Sequence, residues 1–141
     1  MVDTLLILRK LSQLQEFTNQ LREYQDITTG QYIAEWKTQR IIERTIQIAI
    51  EVCLDLAGHI ISDKGYRVPN SYVDTFNVLF ENRIIDLQLL AALEKMARCR
   101  NFIVHNYDKI DPEIVVGILK KNLSDFDAFK GAVVKFIESE K

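Results

Sequence analysis

One ten-residue stretch of the chain concentrates side chains that can act on a phosphodiester. It holds two arginines, an asparagine, a histidine and a tyrosine: Arg98, Arg100, Asn101, His105 and Tyr107. Histidine transfers protons near neutral pH, and arginine offers a permanent charge whose forked donors suit phosphate oxygens. Cleavage of RNA without a metal needs both functions, because the 2′-hydroxyl must lose a proton, the leaving 5′-oxygen must gain one, and the extra negative charge must be stabilised.

The chain supplies only one histidine to this stretch. The second of its two histidines, His59, lies deep in another predicted helix and has no clustered arginine beside it in sequence. A mechanism with two histidines would therefore require a symmetric dimer that brings two copies of His105 together.

Helical geometry places the motif residues on different sides of one helix. If the helix continues through His105, each residue advances by about 100°, so Arg98, Asn101 and His105 share a row that Arg100 does not join. The same pattern also fits a cluster of solvated charges, because Glu94 precedes Arg98 by four residues as in a surface ion pair. Spacing alone does not decide whether these residues form a catalytic site or a surface charge cluster.

Composition indicates one globular domain, residues 1–141, that can bury a core without metals or disulfides. The net charge of −2 means that nucleic acid would have to bind at a local basic patch. Cys53 and Cys99 lie in apolar helical patterns, which favours buried free thiols in a reducing compartment. We find neither a signal peptide nor an unbroken apolar run long enough for a membrane span, so we expect a cytoplasmic protein with no membrane partner.

Motifs for metals and nucleotide cofactors are absent from the sequence. The two histidines and two cysteines lack the spacing of metal ligands. The glycine-rich nucleotide-binding motifs GxGxxG and GxxxxGK(S/T) do not occur. We therefore expect no metal and no cofactor.

Apolar residues recur at spacings of three and four throughout the chain, which predicts an all-α, up-and-down bundle of five to six helices with short loops. The predicted helices span about 3–25, 32–62, 71–82 and 84–105. Asp111 and Pro112 are expected to begin another helix, and Ser124 is expected to restart or bend it.

The motif resembles a known signature. Arg100-Asn101-x3-His105-x-Tyr107 is similar to the R-x4-6-H-x-Y signature of HepT toxins, a branch of the HEPN superfamily. Residues 39–61, the Ser71-Tyr72-x3-Phe76 pattern and the helix from 113 to 123 are similar too, so the resemblance covers most of the chain.

The resemblance implies a HEPN-like homodimer that acts as a metal-independent endoribonuclease toxin of a type VII toxin–antitoxin system. Its partners would be an RNA substrate and a cognate minimal nucleotidyltransferase antitoxin, with which the dimer would form a larger assembly. His105 would be the acid/base, Arg100 the phosphate ligand, and Asn101 the residue that orients them. Tyr107 would receive AMP from the antitoxin, which would block the cleft with bulk and negative charge.

Two alternatives stay open at this point. Arg98 also satisfies the permissive spacing to His105 and shares its helical row, so Arg98 is either a supporting phosphate contact or the key arginine. HEPN proteins also include modules that bind nucleotides or partners without cleaving RNA, and a non-catalytic module acting with a nucleotidyltransferase is the alternative function.

Overall fold

The computed structural model describes residues 2–141, with the exception of the Tyr107 side chain. These residues form helices and no strands, which confirms the all-α prediction. The helices are α1 (Thr4–Arg22), α2 (Thr29–Ala34), α3 (Trp36–Lys64), α4 (Tyr72–Glu81), α5 (Leu87–His105), α6 (Pro112–Gly117) and α7 (Leu123–Ser139). A 3-10 turn (Tyr107–Lys109) follows α5, and a π-helical segment (Ile118–Asn122) joins α6 to α7 without a break. Counted with that join, the described residues form six helices, within the predicted range.

Helix α3 is the centre of the bundle, because it packs against α1, α2, α4 and α5. An 18-residue window of α3 has a mean hydropathy of 1.4, so by length and composition this helix could cross a membrane. Most of that window is buried inside the bundle, as expected for a core helix. The buried apolar residues of α3 are Ile42, Ile46, Ala49, Ile50, Val52, Cys53, Leu54, Leu56, Ala57, Ile60 and Ile61.

The single helix predicted from about residue 32 is interrupted. Thr28 caps α2 through a capping box with Gln31, and the buried ring of Tyr32 fixes this short helix to the bundle. Glu35 then adopts an extended conformation before α3 begins at Trp36. The apolar spacing continues across the break, so the pattern alone did not reveal it.

The helix that carries the motif and the helix that follows it are both capped by aspartates. Asp86 accepts a hydrogen bond from the backbone N–H of Leu89 at 2.8 Å, so α5 begins at Leu87, three residues later than predicted. Asp111 caps α6 in the same way, with Pro112 in the first turn, as predicted. Ser124 caps no helix, and the change of geometry expected there occurs instead in the π-helical segment.

Candidate active site

The motif occupies the last two turns of α5. The helix continues through His105 and ends at Asn106, whose backbone N–H donates to the Phe102 carbonyl at 2.8 Å. A histidine in the last turn is favourable because it interacts with the negative end of the helix dipole. The predicted row therefore exists: Arg98 and His105 are exposed and lie on one face.

Arg100 lies on a different side of α5 from His105. The two residues are five apart, which corresponds to about 140° around an α-helix. The Arg100 side chain is 15% exposed, and Nη2 lies 3.8 Å from Oε1 of Glu51 on α3. Its guanidinium carbon lies 4.7 Å from the centre of the Tyr72 ring on α4. The helix stays regular through His105, so the Arg100 and His105 side chains remain on different sides of α5.

Asn101 connects the two sides of the helix. Its side-chain oxygen accepts a hydrogen bond from Arg100 Nη1 at 3.2 Å, and it lies one turn before His105 in the same row. This contact is compatible with the orienting role that the motif assigns to Asn101.

Among the side chains that the structure describes, none forms a hydrogen bond or ion pair with His105 or with Arg98. Both side chains therefore face solvent with their polar atoms available to a substrate or a second subunit. The predicted AMP acceptor, Tyr107, lies outside the described side chains.

A groove of about 520 Å³ lies beside Arg100. Its walls come from α3 and α4, and its lining includes Glu51, Asp55, Tyr72 and Thr75 along with Arg100. A larger concavity of about 1150 Å³ lies between the α4–α5 connection and α7, and none of the described motif side chains lines it. We therefore take the smaller groove as the one related to the motif.

The two cysteines and His59 have surroundings that differ from those of the motif residues. Burial raises the pKa of the Cys99 thiol to about 11 and the pKa of the Cys53 thiol further still. Cys53 is buried as predicted, whereas Cys99 is only partly buried. His59 lies on α3 with Nε2 3.6 Å from Oδ1 of Asp55. Within residues 2–141, no cluster of histidine, cysteine and acidic side chains has the arrangement of a metal site.

Sequence reasoning missed Glu51 and Tyr72 as neighbours of the motif. Glu51 is one of several acidic residues on α3, and Tyr72 stood out in the sequence only as part of a stretch similar to HepT toxins. The periodicity of α3 and α5 contains no information on which turns of the two helices meet, so the Glu51–Arg100 contact was not predictable from spacing.

Comparison with known proteins decides the family. Residues 7–133 match the family described as Ribonuclease HepT-like. The chain belongs to the HepT-like ribonuclease family. The resemblance drawn from Arg100, His105 and Tyr107 is thereby confirmed.

Two relatives in this family are named as nucleases. The chain is 32% identical over 100 residues to the mRNA nuclease HepT of Shewanella oneidensis, an alignment that covers 71% of this chain and 75% of the relative. It is 25% identical over 114 residues to the tRNA nuclease HepT of Aphanizomenon flos-aquae, covering 81% and 78% of the two chains.

A solved structure shows the same fold in a complex. It is the tri-AMPylated HEPN toxin of Shewanella oneidensis bound to the MNT antitoxin, with a TM-score of 0.85 and 27% identity. The superposition covers 96% of this chain and 99% of that one. The HepT-like chain described here therefore has the fold of a toxin that was captured with its antitoxin and modified by AMP.

Proposed function

We propose that this chain is a metal-independent endoribonuclease, the toxin of a type VII toxin–antitoxin pair, which cleaves RNA in the cytoplasm. One observation supports it most: an exposed His105 ends a helix that carries Arg98 in the same row and the Arg100–Asn101 pair beside it. This arrangement occurs in a chain that matches the HepT-like family over residues 7–133.

The proposed roles follow from the chemistry of each side chain. His105 transfers the proton between the 2′-hydroxyl, the leaving oxygen and solvent. Arg100 donates to the phosphate and stabilises the charge that develops on it, and Asn101 keeps the guanidinium oriented. Arg98 supplies a second, more exposed phosphate contact.

The proposal includes a homodimer, because a single chain offers one exposed motif histidine and turns Arg100 away from it. Two copies that meet through the ends of α5 would place both histidines and both arginines in one cleft. An isologous contact of this kind is the commonest way for a soluble protein to form a dimer.

Regulation by a minimal nucleotidyltransferase antitoxin is the second part of the proposal. The tri-AMPylated relative supports it, and the resemblance of the motif to that of HepT toxins implies Tyr107 as the acceptor. AMP on this residue, two positions after His105 in the chain, would add a phosphate charge and a nucleoside, and the charge would repel RNA. The dimer would then form a larger assembly with the antitoxin.

The test of the catalytic assignment is a pair of histidine variants assayed on RNA in buffer with excess EDTA. We expect His105→Ala to lose about 10²- to 10⁴-fold in cleavage rate, as is typical when a general acid/base is removed. The matched control is His59→Ala, which removes the other histidine and should cleave at the wild-type rate. Equal cleavage by wild type and His105→Ala would refute the assignment, and loss of cleavage in EDTA would refute metal independence.

The test of regulation is the intact mass after co-expression with the cognate nucleotidyltransferase. We expect added AMP on the wild-type protein and on a Tyr24→Phe control, and none on Tyr107→Phe. Modification of Tyr107→Phe to the wild-type level would place the acceptor elsewhere.

A second candidate is a non-catalytic HEPN module that binds a nucleotide or partner together with a nucleotidyltransferase. The observation that favours it is the position of Arg100, which is buried against Glu51 and Tyr72 on a different side of α5 from His105. It predicts partner binding with no RNA cleavage at any protein concentration, which the EDTA assay also measures.

A further inference from the structure

The surroundings of Arg100 contain two residues to which neither the motif nor the family comparison assigns a role. Glu51 approaches the guanidinium from α3, with Oε1 3.8 Å from Nη2. Gln47 donates from Nε2 to the same Glu51 oxygen at 2.8 Å, which restricts the carboxylate. Tyr72 covers one face of the guanidinium from α4, with 4.7 Å between the guanidinium carbon and the ring centre.

These contacts compensate a cation that is mostly removed from water. An arginine side chain that is 15% exposed stays charged, so it needs an acceptor or an aromatic face nearby. Glu51 supplies the opposite charge, and the Tyr72 ring supplies a cation–π contact. Removal of either neighbour would favour rotation of the long arginine side chain into solvent.

The same contacts leave part of the guanidinium unused. Among the described side chains, Arg100 makes one hydrogen bond, to Asn101, and its Nε is buried without a partner. Glu51 at 3.8 Å is too far for a good hydrogen bond to Nη2. The Nη groups are therefore held in place while some of their N–H donors have no acceptor among the described side chains. Arg100 also lines the groove between α3 and α4.

We propose that Glu51 and Tyr72 are positioning residues for Arg100. They hold the guanidinium at one fixed place so that it meets the phosphate with little reorganisation when the reaction begins. This inference rests on the proposed ribonuclease function, and it adds two residues that touch the arginine and not the reacting atoms. Preorganised donors stabilise developing charge better than mobile ones do, because no reorganisation is needed at the moment of reaction.

The kinetic test uses conservative variants on α3 and α4. Glu51→Gln and Tyr72→Leu are each expected to lower kcat by about tenfold and to change KM by less than about threefold, since misplacement by about 1 Å can cost up to about a hundredfold. Tyr72→Phe keeps the aromatic ring, so it should retain the wild-type kcat that Tyr72→Leu loses. Asp63→Asn makes the same change in net charge on the same helix and should leave kcat unchanged.

A double-mutant cycle separates positioning from general damage to the fold. In an Arg100→Ala background, Glu51→Gln and Tyr72→Leu should have no further effect on kcat, because the group they hold is gone. Equal effects with and without Arg100 would overturn the proposal.

An NMR measurement tests the contact independently of activity. The Arg100 side-chain protons should show a ring-current shift in the wild type and in Tyr72→Phe, and lose it in Tyr72→Leu. Absence of this shift in the wild type overturns the proposal even if RNA is cleaved. Absence of cleavage by the wild type overturns the proposed function even if the shift is present.

Discussion

Two arginines of this chain, Arg67 and Arg100, have opposite surroundings. Arg67 lies in the connection between α3 and α4 and is 41% exposed. It donates to both carboxylate oxygens of Asp74, at 2.8 and 2.9 Å, and to both of Glu81, at 2.8 and 3.1 Å. The Arg67 guanidinium, with help from the Asn70 backbone N–H, holds the pKa of Asp74 well below its usual range.

Arg100 is far more buried than Arg67 but has fewer partners. It makes one hydrogen bond among the described side chains, to Asn101, and its nearest carboxylate, on Glu51, lies 3.8 Å away. A residue selected only for stability would be expected to show the reverse, with the buried cation better paired than the exposed one.

The two arginines differ in how many of their donors find an acceptor. Arg67 has four hydrogen bonds to two carboxylates, so it ties a loop to α4 and has little left for a ligand. Among the described side chains, Arg100 keeps donors without an acceptor, which agrees with the phosphate-binding role proposed for it.

The largest effect that tests this comparison is expected from Arg100→Ala. Loss of a preorganised donor to developing charge typically costs about 10²- to 10³-fold in rate, so we expect kcat/KM for RNA cleavage to fall by about that factor. The thermal midpoint should change little, because Arg100 is poorly paired in the folded state. The matched variant is Arg67→Ala, for which we expect unchanged kcat/KM and a lower thermal midpoint. The comparison fails if the two variants exchange these phenotypes.

A smaller effect is expected from Arg98→Gln, which resolves the choice between the two arginines of the motif. Arg98 is exposed, so as a phosphate contact it should contribute mainly to binding. We expect KM to rise by about tenfold with kcat nearly constant, and the salt dependence of RNA binding to become shallower by about one phosphate contact. A loss in kcat greater than that of Arg100→Ala would make Arg98 the key arginine.

The next prediction concerns the ion pairs of Arg67 with Asp74 and Glu81, and the quantity affected is the stability of the fold. Asp74→Asn removes a carboxylate that accepts hydrogen bonds from Arg67 and from the Asn70 backbone. We expect the free energy of unfolding to fall by about 1 kcal/mol at pH 7. The effect is small because Arg67 is exposed and solvent screens the ion pair. For a chain of this length that corresponds to a fall of about 3 °C in the thermal midpoint. Cleavage of RNA should not change.

The stability difference between the wild type and Asp74→Asn should depend on pH, and the direction follows from the pKa of Asp74. The folded pKa of Asp74 is lower than the value of about 3.9 for an unfolded chain, so the unfolded state binds more protons in that range. The stabilisation by Asp74 is complete well above pH 4 and is lost as the pH falls through the folded pKa. Thermal midpoints of wild type and Asp74→Asn should therefore converge below about pH 4. A difference that persists undiminished into strong acid would exclude the ion pair as its cause.

The smallest effect probes the packing beside Arg100. Burial raises the pKa of Cys99 to about 11, so little thiolate is present near neutral pH. Alkylation of Cys99 by iodoacetamide should be slow at pH 7.5 and accelerate about tenfold per pH unit, as long as the pH stays below that pKa. Mass spectrometry of single-cysteine variants gives the rates, with the buried Cys53 as a control that should react only on unfolding. Rapid alkylation of Cys99 at pH 7.5 would contradict the burial of this thiol and show that solvent reaches this side of α5.

Much of the helical framework was predictable because it depends on local chemistry. The spacing of apolar residues predicted α1, α3, α4 and α5, and the cap at Asp111 was predicted from the types of Asp111 and Pro112. The errors arose where two local signals compete. The capping box of Thr28 interrupts an apolar pattern that runs on, and the Asp86 cap shortens α5 at its start.

By itself, the sequence determined the family and the set of motif residues, because residue types and short spacings carry both. Arg98, Arg100, Asn101, His105 and Tyr107 were all identified from that pattern. The surroundings of each residue were decided only by tertiary structure. The packing of α5 against α3 and α4 brings Glu51 and Tyr72 to Arg100 and leaves His105 exposed, since contacts between residues far apart in sequence depend on how whole helices dock.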